Sequence, residues 1–494
     1  MPPVFVPSCL RCFTTSRRQP RPMHAVQLAL GALAWLWATS CGSQVAFAQQ
    51  ANSPQANSQQ PNILFVFTDD QAQNCVQSFG NPHIQTRHID RLAAEGVVFR
   101  EAFVTTAICC SNRACILTGQ HMRRHGIEDF KRPLSAEALA RTYPLLLRER
   151  GYRTGFFGKF AIGRDDPEIL DLSLPADKFD WWYGFPQSIN FLQRDERGEH
   201  YLTTRIEEEI AAFLKSQPSD RPFCLTVALK EPHGPTNYFD PAVEDPYATA
   251  DIPLPPTFTQ AHFDALPELV QNSMNGSGAA DRLAHPDKLV QQMRTNYRLI
   301  TRADLALGRI REALQAHGFD KNTVIIYSSD HGSLLGAHGL TGKWLMYEES
   351  IRVPLIIYDP RPDAQGSQRQ RTEMALSIDL APTMLDLAGV QAPPEMQGRS
   401  LLGLVQGEQL PWRSDWYYEH TYANPPQHVI PKSEGVRTVD WKYIRYTDSQ
   451  PAVEQLFHLA DDPREERDLA ADPQYARQLS RLREACDRYR RELQ

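Results

Sequence analysis

The run Cys109-Cys110-Ser111-Asn112-Arg113-Ala114-Cys115-Ile116-Leu117-Thr118-Gly119 joins a thiol and a guanidinium at chemically useful spacing. Ser111 and Asn112 are types favoured at helix starts and Gly119 is a natural stop, so the run predicts a short helix. Cys109 and Arg113 are four apart and share one helix face. A helix N-terminus also favours negative charge. A nucleophile, a guanidinium and a dipole at one spot suit attack on an ester that carries an oxyanion. The competing reading is plain packing, since free cysteines usually behave as small buried hydrophobes. Residues elsewhere in the chain decide between the two.

Short apolar, β-branched runs alternate with amphipathic helical stretches, the pattern of a largely parallel sheet covered by helices. The clearest predicted strands are Asn62–Thr68, Arg153–Phe157, Phe223–Leu229, Thr323–Ser328 and Val353–Tyr358. Before the fourth, Ala303, Leu307, Ile310 and Leu314 recur at helical spacing. In open α/β sheets, ligands bind outside the carboxyl ends of the strands. The residues just beyond the first four runs are Asp69-Asp70, Lys159, His233 and Asp330-His331. Each alone is weak, because Asp-Asp after a strand is commonly a turn. Their convergence at one sheet edge argues for a site.

Three carboxylates (Asp69, Asp70, Asp330) would repel one another unless compensated. A hard divalent cation, calcium or magnesium, meets that need with oxygen ligands. His331 adds an imidazole. Such a cation, with lysines, Arg113 and His233, would hold a tetrahedral oxyanion and stabilise its charge during transfer. The implied chemistry is hydrolysis of a sulfuryl or phosphoryl ester.

These residues resemble the type I sulfatase family of the alkaline phosphatase superfamily, over nearly all of residues 61–470. Asn62-Ile63-Leu64-Phe65-Val66-Phe67-Thr68-Asp69-Asp70 resembles the family's first metal strand. The run from Cys109 to Gly119 is similar to its Cys-x-Pro/Ala-x-Arg signature, and Gly158-Lys159 and Pro232-His233 to two further motifs. Ser329-Asp330-His331-Gly332 resembles the second metal motif, and Gly342-Lys343-Trp344 carries the late lysine. Tyr347 to Pro354 and Asp379-Leu380-Ala381-Pro382-Thr383 are also similar to family segments.

The resemblance implies an alkaline phosphatase-like fold and a formylglycine nucleophile made from a cysteine by a maturing enzyme. Arginine spacing picks Cys109 over Cys110 and Cys115, since it has arginine four residues on. It further implies a calcium ion, or less well magnesium, held by Asp69, Asp70, Asp330, His331 and the modified Cys109. Arg113 and Lys159 would hold the formylglycine and sulfate oxygens, Asp330 would help activate the nucleophile, and His233 or Lys343 would serve the leaving alcohol. Two positions depart from the pattern: Ser111 replaces the usual proline or alanine, and Ala161 replaces a frequent histidine. The expected substrate is a sulfated carbohydrate, with some lean toward 6-sulfated N-acetylglucosamine. Lys230, Trp181 and His338 are candidates for binding it, and Trp182, Tyr183, His420 and Arg437 are weaker ones. The alternatives are a phosphonate or phosphate diester hydrolase and a non-catalytic binder of sulfated glycans.

At 494 residues the chain can bury one large core and a smaller one. Its net charge of −7 gives no general basic footprint for nucleic acid. Arg17, Arg18 and Arg21 precede an apolar stretch from Val26 to Trp37, followed by Ala46-Phe47-Ala48, a small-x-small cleavage signal. The apolar stretch is short for a spanning helix. Residues 1–48 therefore read as a targeting segment, giving a periplasmic or secreted protein, with lipid attachment at Cys41 a weaker variant. Residues 49–60 read as a polar linker and 61–405 as the catalytic domain.

Three of the nine cysteines (Cys9, Cys12, Cys41) fall in the targeting segment. Of the other six, Cys109, Cys110 and Cys115 crowd together, which is poor spacing for a disulfide framework. Residues 234–290, rich in proline and polar residues, predict a long surface excursion. Residues 406–494 predict a small α+β subdomain. Its strands are Trp416–Glu419, Gly435–Thr438 and Lys442–Tyr446, and a closing helix presents Tyr475, Leu479, Leu482, Cys486, Tyr489 and Leu493.

Overall fold

The computed structural model describes residues 60–493 apart from 164–173, 187–188, 197, 235–238, 242, 363, 365, 368 and 423–428. The expected targeting segment, most of the linker and Cys9, Cys12 and Cys41 lie outside the described residues. Among those described, no helix is long and apolar enough to cross a membrane.

Strand β1 (Asn62–Asp69) is buried at every residue because both its faces are covered. Ile63, Phe65 and Phe67 pack on the side of helix α1 (Cys109–Thr118), and Leu64 and Val66 on the opposite side. This is the two-residue period of a strand. Seven more strands complete the sheet: β2 (Val97–Phe99), β3 (Arg153–Lys159), β4 (Trp181–Phe185), β5 (Phe223–Pro232), β6 (Thr323–Ser329), β7 (Ile356–Tyr358) and β8 (Gln370–Arg371). Their order is β8-β2-β7-β6-β1-β5-β3-β4. The run from β6 to β4 is parallel, and β7 enters antiparallel between β6 and β2. Helices α2 (Leu202–Lys215) and α3 (Pro286–Ala316) cover the second face; Ile206, Ile210, Phe213, Ala303, Leu307, Ile310 and Leu314 pack against it.

A separate antiparallel sheet follows in simple meander order: β9 (Asp415–His420), β10 (Ser433–Thr438), β11 (Trp441–Tyr446) and β12 (Val453–His458). Helix α4 (Ala476–Glu492) closes it, with Leu482 and Cys486 buried and Tyr475, Leu479, Tyr489 and Leu493 alongside. The architecture is a large, mostly parallel mixed sheet sandwiched by helices, with a smaller α+β unit at its C-terminal side. The expected fold class stands.

Some expectations need correction. The predicted strand over Val353–Tyr358 begins at Ile356, because Val353 leaves the ladder to donate its amide to Ala102. Strands β2, β4, β8 and β12 went unforeseen. Residues 234–290 are more than a surface excursion: Tyr247, Ile252, Phe258 and Leu289 build a core of their own with Met293, Tyr297 and Ile300. Helix α1 begins at Cys109, as expected, but not through the residues expected to favour its start. Its N-cap is Ile108, and Ser111 and Asn112 sit inside the first turn with no capping role.

Candidate active site

Strand parity brings the chemistry together. Asp69 continues the α1-facing positions Phe65 and Phe67, and Asp330 continues Val324 and Ile326, so both carboxylates meet α1. The Arg113 guanidinium lies over the Phe67 ring, 4.8 Å from its centroid, which carries the arginine back to the strand ends. Lys159 needs a further device, because strict alternation would send it with Phe157 to the other face. Gly158 supplies it with φ of 99°, and a Cβ there would meet Ala228 O at 2.0 Å. Asp70 has φ of 76°, a left-handed conformation that Asp tolerates better than most residues, and backbone strain of this kind gathers at functional sites.

Cys109 Sγ sits where these groups meet. It lies 3.4 Å from Asp69 Oδ1, 3.3 Å from His331 Nε2 and 3.1 Å from Lys343 Nζ. Arg113 donates from Nε to Asp330 Oδ2 at 2.9 Å, and its Nη2 lies 2.9 Å from the same oxygen and 3.2 Å from Asp69 Oδ2. Lys159 pairs with Asp69, and the Arg113 fork also reaches the Lys159 carbonyl. Lys343 pairs with Asp70 at 2.6 Å, and His331 Nδ1 stands 3.1 Å from the same carboxylate. One ligand atom each from Asp69, Asp70, Cys109 and His331 lies within 4.8 Å of all the others. Asp330 stands at the rim of that set, with Oδ2 on Arg113 and Oδ1 3.6 Å from His331 Nε2.

Burial alone would raise the Asp69 pKa, but Lys159, with His233, Arg113 and Lys343, holds it well below the usual carboxylate range. Burial would likewise neutralise Lys343, and the facing Asp70 keeps it an ammonium well above its ordinary pKa. The Cys109 thiol is pushed up to about 12, first by burial and then by Asp69. His233 is pulled down to about 4 by burial and by the Lys159 charge, so its imidazole is neutral at pH 7. It keeps 28% of its side chain exposed and stands 4.0 Å from Asp70 Oδ2. Burial also lowers Lys230, to about 8; its ammonium donates to Gly234 O at 2.8 Å and lies 3.8 Å from the Phe191 centroid.

The structure thus gathers Asp69, Asp70, Cys109, Arg113, Lys159, Asp330, His331 and Lys343 in one cluster, with Lys230 and His233 beside it. Trp181 does not join them. It opens β4 opposite Gly155, donates to Glu209 at 3.2 Å and packs on Phe213, at the far end of the strand from the site. Trp182 packs among Phe156, Phe160 and Phe179. His338 is buried against the Tyr347 ring, and the charged groups acting on it are His262, Asp462, Glu466 and Lys442, none of them in the cluster, so it too lies away from the site. Arg437 is held by Glu101 at 2.9 Å over the Phe103 ring. His420 is fully buried at the end of β9. One contributor went unread in the sequence. Asn112 donates to the Asp330 carbonyl and accepts from Ser377 Oγ at 2.6 Å, tying α1 to the end of β6. Its position one residue before Arg113 was the available signal.

The sulfatase family profile matches residues 61–390, and that of the N-sulphoglucosamine sulphohydrolase C-terminal region matches 336–492. The N-acetylglucosamine-6-O-sulfatase of Bacteroides thetaiotaomicron is 29% identical over 89% of this chain and 88% of its own. An arylsulfatase of Clostridium perfringens is 26% identical over 86% of this chain and 93% of its own. Among solved structures, BT4656, in complex with its substrate D-glucosamine-2-N,6-O-disulfate, superposes with TM-score 0.74 at 26% identity, over 88% of this chain and 98% of its own. A phosphonate monoester hydrolase of Agrobacterium radiobacter shares the fold, with TM-score 0.73 at 23% identity over 88% of this chain and 96% of its own. With two thirds of its length matched in order and the site assembled at the strand ends, the chain belongs to the sulfatase family and is a sulfuric ester hydrolase of alkaline phosphatase-like fold.

Proposed function

We propose that this enzyme removes sulfate from an amino sugar of a glycosaminoglycan-like glycan, using a formylglycine made from Cys109. The observation that carries the reading is the position of Cys109 Sγ, within 3.4 Å of Asp69, His331 and Lys343. The names of the relatives in the preceding comparison support the amino sugar. Export from the cytoplasm, by way of residues 1–48, suits such a substrate.

The residues fit a divalent cation. Asp69 and Asp70 offer hard oxygens and His331 an imidazole, at a spacing that suits one ion, and Asp330 Oδ1 stands beside them, 3.6 Å from His331 Nε2. Sγ stands where a formylglycine oxygen would complete an oxygen-rich set, which favours calcium, or less well magnesium. Arg113, Lys159 and Lys343 already offset the three carboxylates. A divalent cation and the released sulfate dianion then add no net charge, so the site is balanced at the product stage. When bound, the ion would place positive charge beside the ester oxygens, and the formylglycine hydrate would supply the nucleophilic hydroxyl.

The chain's own residues do the rest. Asp69 Oδ1 lies 3.4 Å from Sγ, so Asp69 shares with Asp330 the task of taking the hydroxyl proton. The rigid Arg113 fork and the Lys159 ammonium hold oxyanions without reorganising. Lys343 stabilises or protonates the leaving alcohol, and His233 stands beside it at the exposed rim with Nδ1 held on Gly234 O at 2.8 Å.

The test is turnover of an aryl sulfate against an aryl phosphodiester, each by the protein coexpressed with a formylglycine-forming enzyme. A clear preference for sulfate is expected, together with release of sulfate from glucosamine 6-sulfate. Preference for the phosphodiester would overturn the reading in favour of the diester hydrolase. Binding of sulfated glycans without any turnover would overturn it in favour of a lectin-like relative.

A further inference from the structure

The turn that carries Lys343 is backbone under strain. Gly342 has φ of 78° and Trp344, a bulky residue, has φ of 77°. L-residues of that size leave the left-handed region unless their surroundings hold them there. Two side chains from distant parts of the sequence do the holding. Asn275 is fully buried, and its Nδ2 donates to both Thr341 O at 2.8 Å and Lys343 O at 2.7 Å, on either side of Gly342. Its backbone carbonyl accepts from Thr341 N at 3.1 Å. A Cβ on Gly342 would meet Asn275 Nδ2 at 3.4 Å and the Trp344 ring at 3.0 Å, so the fit is close.

On the other flank, the Tyr418 hydroxyl donates to Trp344 O at 2.5 Å and accepts from Ala107 N at 3.3 Å. Ala107 lies two residues before Cys109. One phenol therefore spans the lysine turn and the approach to the nucleophile's helix. Asn275 comes from the segment between β5 and α3, and Tyr418 from β9 of the C-terminal sheet. Neither hydrogen-bonds to Cys109 Sγ or to Lys343 Nζ. Both act on where Lys343 Nζ stands relative to Cys109 and Asp70, now 3.1 Å and 2.6 Å away.

We propose that Asn275 and Tyr418 are positioning residues that lock the strained Thr341–Trp344 turn and so set the reach of Lys343 to the leaving-group side of Cys109. This rests on the role given to Lys343 above. A group held by its surroundings in a strained conformation relaxes when a tether is cut, and a displacement of about 1 Å costs about a hundredfold when the group acts in the transition state. The loss depends on the leaving group. An aryl sulfate departs with little help, whereas a sugar sulfate needs its alkoxide stabilised.

The test compares wild type, Asn275→Ala, Tyr418→Phe, Lys343→Ala and the Asn275→Ala/Lys343→Ala double variant on a nitrophenyl sulfate and on a sugar sulfate. For Asn275→Ala we expect kcat to fall about a hundredfold on the sugar sulfate. The fall on the aryl ester should be about threefold or less, with KM unchanged on both. Tyr418→Phe should fall in the same direction by about tenfold, and it carries the test alone if Asn275→Ala does not fold. The double variant should be no worse than Lys343→Ala, because a tether has no effect once its lysine is gone. Equal losses on both esters, or a double variant in which the losses multiply, would overturn the positioning role. If instead Lys343→Ala keeps wild-type turnover of the sugar sulfate, the role of Lys343 itself has failed.

Discussion

The charges around Cys109 and those around Lys442 invite comparison, because both sets are buried, dense and nearly neutral in sum. At Lys442 the ammonium is fully committed: 2.7 Å from Glu348, 2.6 Å from Glu465 and 2.8 Å from the Met346 carbonyl. Arg437 and Arg352 pair with Glu101, and each stands 3.5 Å from Glu348. Burial would raise Glu348, but Lys442 and Arg437 hold it far below its ordinary range. Nothing reactive lies at the centre. At Cys109 the same kinds of residue converge on an uncharged atom: Lys343 divides its reach between Asp70 and Sγ, and Asp70 and His233 keep 20% and 28% of their side chains exposed. Both networks keep an edge at solvent, since Arg352 and Glu101 are exposed to a similar degree, so what makes one of them a reactive site is that its charges face a nucleophile. The Lys442 network instead joins the two sheets.

The largest effect that would break this contrast is on turnover. Cys109→Ala should lower kcat by at least about a thousandfold while leaving the urea midpoint unchanged. Comparable turnover in that variant would place the chemistry elsewhere. Lys442→Met should do the reverse. Removing one partner of a buried pair costs about 3–5 kcal/mol, read as a lower urea midpoint, with turnover per folded molecule unchanged. Loss of turnover at unchanged stability would make Lys442 part of the reaction.

A smaller effect sharpens the contrast through pH. Burial raises Glu465 to about 7 from an ordinary 4.5, so in this range the folded state holds a proton that the unfolded state has lost. Its stabilising share is complete below about pH 4.5 and disappears as pH rises through about 7. Urea midpoints of wild type should therefore fall across that window relative to Glu465→Gln. Parallel curves for the two would contradict the assignment.

The smallest expected effect on stability concerns the metal. Because Arg113, Lys159 and Lys343 already offset the three carboxylates, chelation should abolish turnover yet lower Tm by only a few degrees. Calcium should then restore activity. Unfolding on chelation would show that the cation holds the fold together.

Much of the site was legible because it hangs on strand ends. Asp69, Asp70, Lys159, His233 and Asp330 each follow an apolar run, and the sheet rule places them together whatever the intervening chain does. The Cys109–Arg113 spacing was legible for the same reason on a helix. What was not legible depends on contacts distant in sequence. Trp181, Trp182 and Tyr183 suggested sugar stacking, yet they alternate along an edge strand whose two faces are both packed. Ser111 and Asn112 suggested a cap, but Ile108 precedes them in extended geometry and Asn112 is drawn to Asp330 and Ser377. The polar, proline-rich composition of 234–290 hid Asn275, whose two hydrogen bonds to the lysine turn are fixed by tertiary contact. No local pattern announces a residue of that kind.

The account's central claim is that Cys109, and neither neighbouring cysteine, becomes the nucleophile. Peptide mass spectrometry across residues 103–123 of active protein tests it most directly. The account predicts an aldehyde in place of the thiol at Cys109, with Cys110 and Cys115 unmodified. An intact Cys109 thiol in protein that turns over sulfate esters would contradict it.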